Sequence, residues 1–135
     1  MILLDTSGVF AFLDPKDARH AAAKAVMADS TPPRLLSPFV LAELDYLVAT
    51  RIGQRAEQLL LEDVANGAYA LEPFGREDVS RARAVIHAYS DLNVGLADAS
   101  IVVLAERFRC RDLLTLDRHF EVLRADGAAF RLLPA

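Results

Sequence analysis

The amino-acid sequence predicts an α/β fold built on a parallel central sheet, and three observations carry that reading. Short apolar runs alternate with longer stretches of helical periodicity along the whole chain, a strand-then-helix rhythm. Turn and helix-breaking residues fall between these stretches rather than within them. No linker, repeat or low-complexity tract interrupts the pattern, so 135 residues of which 53% are hydrophobic read as one domain, 1–135, with a substantial core.

The first run, Ile2-Leu3-Leu4-Asp5, is too short for a helix and meets the turn-prone Thr6-Ser7-Gly8 at once, so a buried strand is expected over 2–5. Helices follow over 7–13 and 16–28, divided by Asp14-Pro15, and Pro32-Pro33 introduces a second strand over 34–37. Ser37-Pro38 pairs a capping serine with proline at the first helical position and opens a helix over 38–52. Gly53 divides it from a helix over 54–66. Asn66-Gly67 precedes a strand over 69–72, Pro73 and Gly75 introduce a helix over 75–90, and Gly95 introduces one over 96–109. A strand over 112–115, a short helix near 118–124 and, past Gly127, a last strand over 130–133 complete the series.

A lone cysteine, Cys110, cannot form an internal disulfide, and no charged-then-apolar leader opens the chain, so the expected location is the cytoplasm. Charged residues break every apolar run well short of the ~18 residues of a spanning helix, which argues against a membrane protein.

Four carboxylates stand where short apolar elements end or helices begin. Asp5 closes the first strand, Glu43 lies in the second turn of the 38–52 helix, Asp98 in the first turn of the 96–109 helix, and Asp117 follows Leu113-Leu114-Thr115. In an open parallel sheet ligands bind beyond the carboxyl ends of strands, where Asp5 and Asp117 lie. Asp98 has a structural explanation, because an acid in the first turn complements the helix dipole beside the Ala97, Ile101, Leu104, Ala105, Phe108 stripe. Glu43 has none, lying too deep in its helix to cap it, whereas Asp45 points the other way and reads as surface. Carboxylates in apolar surroundings need neutralising, and a hard divalent cation held through oxygen, Mg²⁺ or Mn²⁺, does so and supports phosphoryl chemistry.

The net charge of −4 is unusual for a protein that handles nucleic acid, but setting the four acids aside leaves a neutral chain. Lys16 and Lys24 are the only lysines among 15 basic residues, and Arg107, Arg109, Arg111, Arg118 and Arg124 gather around the last two acids. The guanidinium fork suits phosphate, and a solvated helix face is the alternative role for each.

Four segments, Ile2-Leu3-Leu4-Asp5-Thr6-Ser7, Ser37-Pro38-Phe39-Val40-Leu41-Ala42-Glu43-Leu44, Leu96-Ala97-Asp98-Ala99-Ser100-Ile101 and Leu114-Thr115-Leu116-Asp117-Arg118-His119-Phe120, together resemble the PIN-domain ribonucleases. Among these the chain looks like the VapC toxins of bacterial VapBC toxin–antitoxin pairs. The match in order, spacing and length spans essentially the whole chain. The resemblance implies a three-layer α/β/α sandwich with a short, mostly parallel sheet and an acidic Mg²⁺ or Mn²⁺ site of Asp5, Glu43, Asp98 and Asp117. It further implies endoribonuclease activity on transfer or ribosomal RNA, a homodimer, and a cognate VapB-type antitoxin.

Hydrolysis of a phosphodiester needs an activated water and charge neutralisation at phosphorus, which carboxylate-held Mg²⁺ supplies. Asp5 is expected at the centre, Asp98 and Asp117 beside it, and Glu43 as a ligand through water or as the group orienting the attacking water. One or two ions fit equally well. Thr6 and Thr115 are candidate supporting hydroxyls, with Ser7 as the cap of the first helix. Arg118, His119 and Arg107 are candidate RNA contacts, with a surface role as the alternative for His119. His20 and His87 have no partner at metal-ligand spacing, and Cys110, between two arginines that would lower its pKa, has no base or resolving thiol.

Rival functions lack their residues. A phosphoryl-receiving regulatory module wants a lysine after a late strand, a haloacid-dehalogenase-type phosphatase a second aspartate where Ser7 stands, and a P-loop a glycine-rich loop ending in lysine. The remaining alternative is a non-catalytic PIN-like module that binds RNA or a partner without cutting.

Overall fold

Parallel strands β1 (Ile2–Leu4), β2 (Arg34–Leu36), β3 (Ala70–Leu71), β4 (Asp112–Leu114) and a C-terminal strand, Arg131–Leu133, form the central sheet of the computed structural model, which describes residues 1–135. Between them run α1 (Thr6–Leu13), α2 (His20–Asp29), α3 (Pro38–Arg51), α4 (Gln54–Ala65), α5 (Arg76–Ala88) and α6 (Leu96–Phe108). A small hairpin, β5 (Arg124–Ala125) with β6 (Ala128–Ala129), precedes the last strand, β7. The sheet order is β3-β2-β1-β4-β7 and all four pairings are parallel, the hairpin supplying the only antiparallel pair.

The architecture is the three-layer α/β/α sandwich. Ile2, Leu3 and Leu4 are all buried although successive side chains face opposite sides, so both faces of the sheet are covered. On one flank α1 packs against α2 and α3, and elsewhere α5 packs against α6, with α3 meeting both α4 and α6. The centre of α6 is enclosed on every side: Val102 and Val103 are as buried as the expected stripe residues Ile101 and Leu104, because α3, α5, β1 and β5 all pack on this helix. No helix is long and apolar enough to cross a membrane.

The chain departs from the expected elements in two places. Residues 14–19 are not helical, because the Asp14 and Asp17 carboxylates accept hydrogen bonds from Lys16 N (3.0 Å) and Arg19 N (2.8 Å) and hold turns that delay α2 to His20. The short helix near 118–124 is a single 3₁₀ turn, Arg118–Glu121, after which the chain enters the hairpin. Asp126 and Gly127 there take φ of 51° and 75°, the left-handed pair that a two-residue hairpin turn requires.

Of the apolar residues of α3 and α4, Leu44, Val48, Leu60 and Val64 enter the core, whereas Tyr46, Leu59 and Leu61 stay exposed. Asp45 is not a free surface group: it is half-buried beside Glu57 of α4, whose carboxyl it pushes up through a shared hydrogen bond. Cys110 is buried, and burial pushes its thiol up rather than the neighbouring arginines pulling it down.

Candidate active site

Strand β1 is the point where the strand order reverses: β2 and β3 lie to one side of it, β4 and β7 to the other. The carboxyl ends of β1 and β4 therefore form the crevice in which parallel α/β sheets bind ligands. Asp5 and the Thr115–Asp117 segment emerge there side by side, joined by the Asp5 N–H donating to Leu114 O at 3.0 Å.

Two helix starts bring in the other acids. Ser37 caps α3 by accepting from Phe39 N at 3.1 Å, and its buried Oγ lies 2.6 Å from that of Ser100 in α6, which donates to Ala97 O. This hydroxyl chain joins the helix that carries Glu43 to the one that carries Asp98. All four carboxylates line one cleft of about 470 Å³, along with Thr6, Ser7, Phe10, Asp17, Leu47, Arg51 and Leu116. Size alone would have pointed elsewhere, since a cavity of about 710 Å³ beside His87 holds no carboxylate.

Asp5 is the best-held group. Its Oδ2 accepts from Thr115 Oγ1 at 2.6 Å and from Ser7 Oγ at 2.9 Å. Thr115 Oγ1 in turn accepts from Asp117 N at 2.9 Å and Ser7 Oγ from Leu116 N at 2.9 Å, so one network fixes the β4 exit against the start of α1. Ser7 does not cap α1, because its hydroxyl is committed here. Thr6 Oγ1 donates to Glu43 Oε1 at 2.7 Å and fixes that carboxylate from across the cleft.

Burial pushes the Asp5 carboxyl up to about 6 against the pull of its hydroxyl donors, with the Asp98 charge adding to the rise. Asp98 is also raised, chiefly by burial, then by the Asp117 and Glu43 charges. The Gly95 backbone N–H and nearby His119 partly offset this. His119 is half-buried at the edge of the site: its Nδ1 lies 3.2 Å from Asp117 Oδ1, and its Nε2 is buried without a hydrogen-bonding partner.

The acids fit a hard divalent ion by their chemistry: a buried carboxylate with a fixed orientation and three more on the same cleft, all oxygen donors. No three of them converge into a ready-made coordination shell. The donor set thus suits an ion such as Mg²⁺, which keeps several waters and takes one or two carboxylates directly.

The remaining candidates divide. Arg118 is exposed beside Asp117 and pairs with Glu121 at 2.8 Å. Arg107 is not brought to the cleft. It lies nine residues beyond Asp98 on α6, about 13 Å along the axis. Its guanidinium donates to Pro73 O at 2.7 Å and pairs with Asp78 at 3.5 Å, which commits it to fastening α6 to the α5 region. His20 Nδ1 donates to Ala11 O at 2.9 Å and is structural, and His87 is exposed. Asp17, Arg51 and the anchoring role of Ser7 were not anticipated.

The PIN domain profile matches residues 2–125. Ribonuclease VapC26 of Mycobacterium tuberculosis (strain ATCC 25618 / H37Rv) is 42% identical over 135 residues, covering 98% of this chain and 100% of that protein. The crystal structure of Mycobacterium tuberculosis VapC20, described as a sarcin–ricin loop cleaving toxin, superimposes with a TM-score of 0.81 at 23% identity, over 87% of this chain and 90% of that one. FitAcB from Neisseria gonorrhoeae superimposes with a TM-score of 0.64 at 22% identity over 97% of each chain.

Proposed function

The chain belongs to the PIN-domain family, and from that premise we propose that it is a single-domain, Mg²⁺-dependent endoribonuclease toxin that hydrolyses transfer or ribosomal RNA, blocks translation, and is silenced by a cognate VapB-type antitoxin. The observation that carries this reading is the convergence of Asp5, Glu43, Asp98 and Asp117, from four distant segments, on one cleft at the reversal point of the sheet.

These four carboxylates would hold the ion, with Mn²⁺ able to replace Mg²⁺. When bound, the ion neutralises charge at the phosphate and acidifies water. The chain's own residues do the rest. Ser7 and Thr115 fix the central carboxylate of Asp5, so that little reorganisation accompanies the reaction. Glu43, whose carboxylate accepts from Thr6, either holds the ion through water or orients the attacking water. Asp117 is braced by the backbone N–H and ring of His119, and Arg118 beside it is a contact for the RNA backbone.

No two histidines are paired as acid and base in the cleft. The water route therefore leaves a 5′-phosphate and a free 3′-hydroxyl, and the substrate's 2′-hydroxyl serves recognition at most. End-mapping of cleaved RNA should recover those ends, excess EDTA should abolish cutting, and a single deoxy substitution at the cut should slow it only modestly. Cyclic phosphate ends, or full activity in EDTA, would overturn this mechanism.

The exposed apolar side chains of α3 and α4 support a homodimer and a groove for an amphipathic antitoxin helix. Tyr46 is 67% and Leu59 50% exposed, while Leu44, Val48, Leu60 and Val64 of the same helices fill the core. Light scattering should give twice the chain mass, and the product of the neighbouring gene should co-purify. A monomer at high concentration that captures no such partner would sink this assembly.

A further inference from the structure

The cleft has a charge problem that its four acids make worse. Asp17 adds a fifth carboxylate to the lining, and a polyanion must still enter. Arg51 is the only cation among the lining residues. It stands in the last turn of α3, eight residues beyond Glu43 with Leu47 midway, so the three share one helical stripe and Arg51 lies about 12 Å along the axis from Glu43. That separation sets it apart from the acids along the cleft, on the scale at which a phosphate next to one held at the acids would meet it.

Arg118, beside Asp117, is already engaged with the carboxylate of Glu121. Arg51 has no ion pair or hydrogen bond. Its guanidinium instead lies over the ring of Phe10, 5.8 Å from the centroid, where the aromatic face holds the planar group without using its N–H donors. Across the site a second cavity of about 270 Å³ shares Leu116 and Asp117 with the cleft and is flanked by Arg19 and Arg118.

We propose that Arg51, seated on Phe10, is the cleft's RNA-gripping residue, its guanidinium fork taking a phosphate next to the one that is cut. The proposal rests on the nuclease reading above. It assigns Arg51 to substrate binding, so its loss raises KM while kcat at saturating RNA holds.

Fluorescence anisotropy with a labelled mixed-sequence single-stranded RNA of about 12 nucleotides, in Ca²⁺ buffer, tests it. Arg51→Ala should bind roughly tenfold more weakly. Its log affinity should also fall less steeply with log salt, the slope shrinking by about 0.7 for one lost phosphate contact. Arg51→Lys should recover the slope but not the full affinity, because the charge stays and the fork is gone. A merely structural Arg51, complementing the α3 dipole, would move the melting temperature and leave the slope alone. Unchanged affinity and slope in Arg51→Ala, with the wild-type chain binding normally, would overturn the proposal and leave the nuclease reading intact. A wild-type chain that neither binds nor cuts RNA would overturn both.

Discussion

Asp5→Asn is expected to give a folded protein that has lost RNA cleavage by a factor of about 10³ or more and is nonetheless more stable than the wild type when no metal is present. The activity loss follows from Asp5's place at the centre of the hydroxyl network. The stability gain follows from its burial, which pushes the carboxyl from 3.8 up to about 6. Between those pH values the folded chain keeps a proton that the unfolded chain has released, so stability falls as pH rises through that window. By pH 7 the ionised group costs about 3 kcal/mol. An amide removes that cost and flattens the pH dependence. A divalent ion offsets the same cost in the wild type by binding only the folded state. Urea unfolding at pH 5 and pH 7, with Mg²⁺ and with EDTA, separates these effects. Wild-type cleavage by Asp5→Asn, or an undiminished metal-induced shift in its unfolding midpoint, would remove Asp5 from the site.

Gly8→Ala should cost activity without touching the substrate. A Cβ at Gly8 would stand 2.6 Å from Leu114 Cγ, 2.7 Å from Leu114 O and 2.8 Å from its carbonyl carbon. Two of these are backbone atoms of a buried strand, and that carbonyl already accepts from Asp5 N, so neither side can yield. Helix α1 must back away from β4, at about 1–3 kcal/mol for overpacking. The shift draws Asp5 and Ser7 away from Thr115, and misplacement of about an ångström lowers turnover by roughly 10²-fold. Thermal melts and single-turnover rates on the purified variant check both halves. An alanine variant as stable and as active as the parent would mean that the helix–strand contact is not rigid.

The sheet was legible because Ile2-Leu3-Leu4, Leu35-Leu36 and Leu113-Leu114 are uniformly apolar, the pattern of strands covered on both faces. The four acids were legible because each sits at an element end or within a capped helix, where local sequence says which way the chain points. What escaped depends on contacts that no window of sequence contains. Ser7 is committed to Asp5 and Leu116 instead of capping its helix, and His119 is held against Asp117. The hairpin was obscured by alanines at 125, 128 and 129, which lack strand propensity, although Asp126-Gly127 was a sound turn signal. Arg51 had a signal too, since Glu43, Leu47 and Arg51 repeat at four-residue spacing and share a helix face. Arg107 misled because its neighbours in sequence are near the acids while its side chain reaches Pro73 and Asp78.

The hydrogen bond between Thr115 and Asp5 closes a span of 110 residues. Strand β1 sits in the middle of the sheet and must wait for β4 until the long stretch of chain between them has been made. Synthesis thus imposes its own order on the site: a nascent chain that has not yet reached β4 lacks one wall of the cleft.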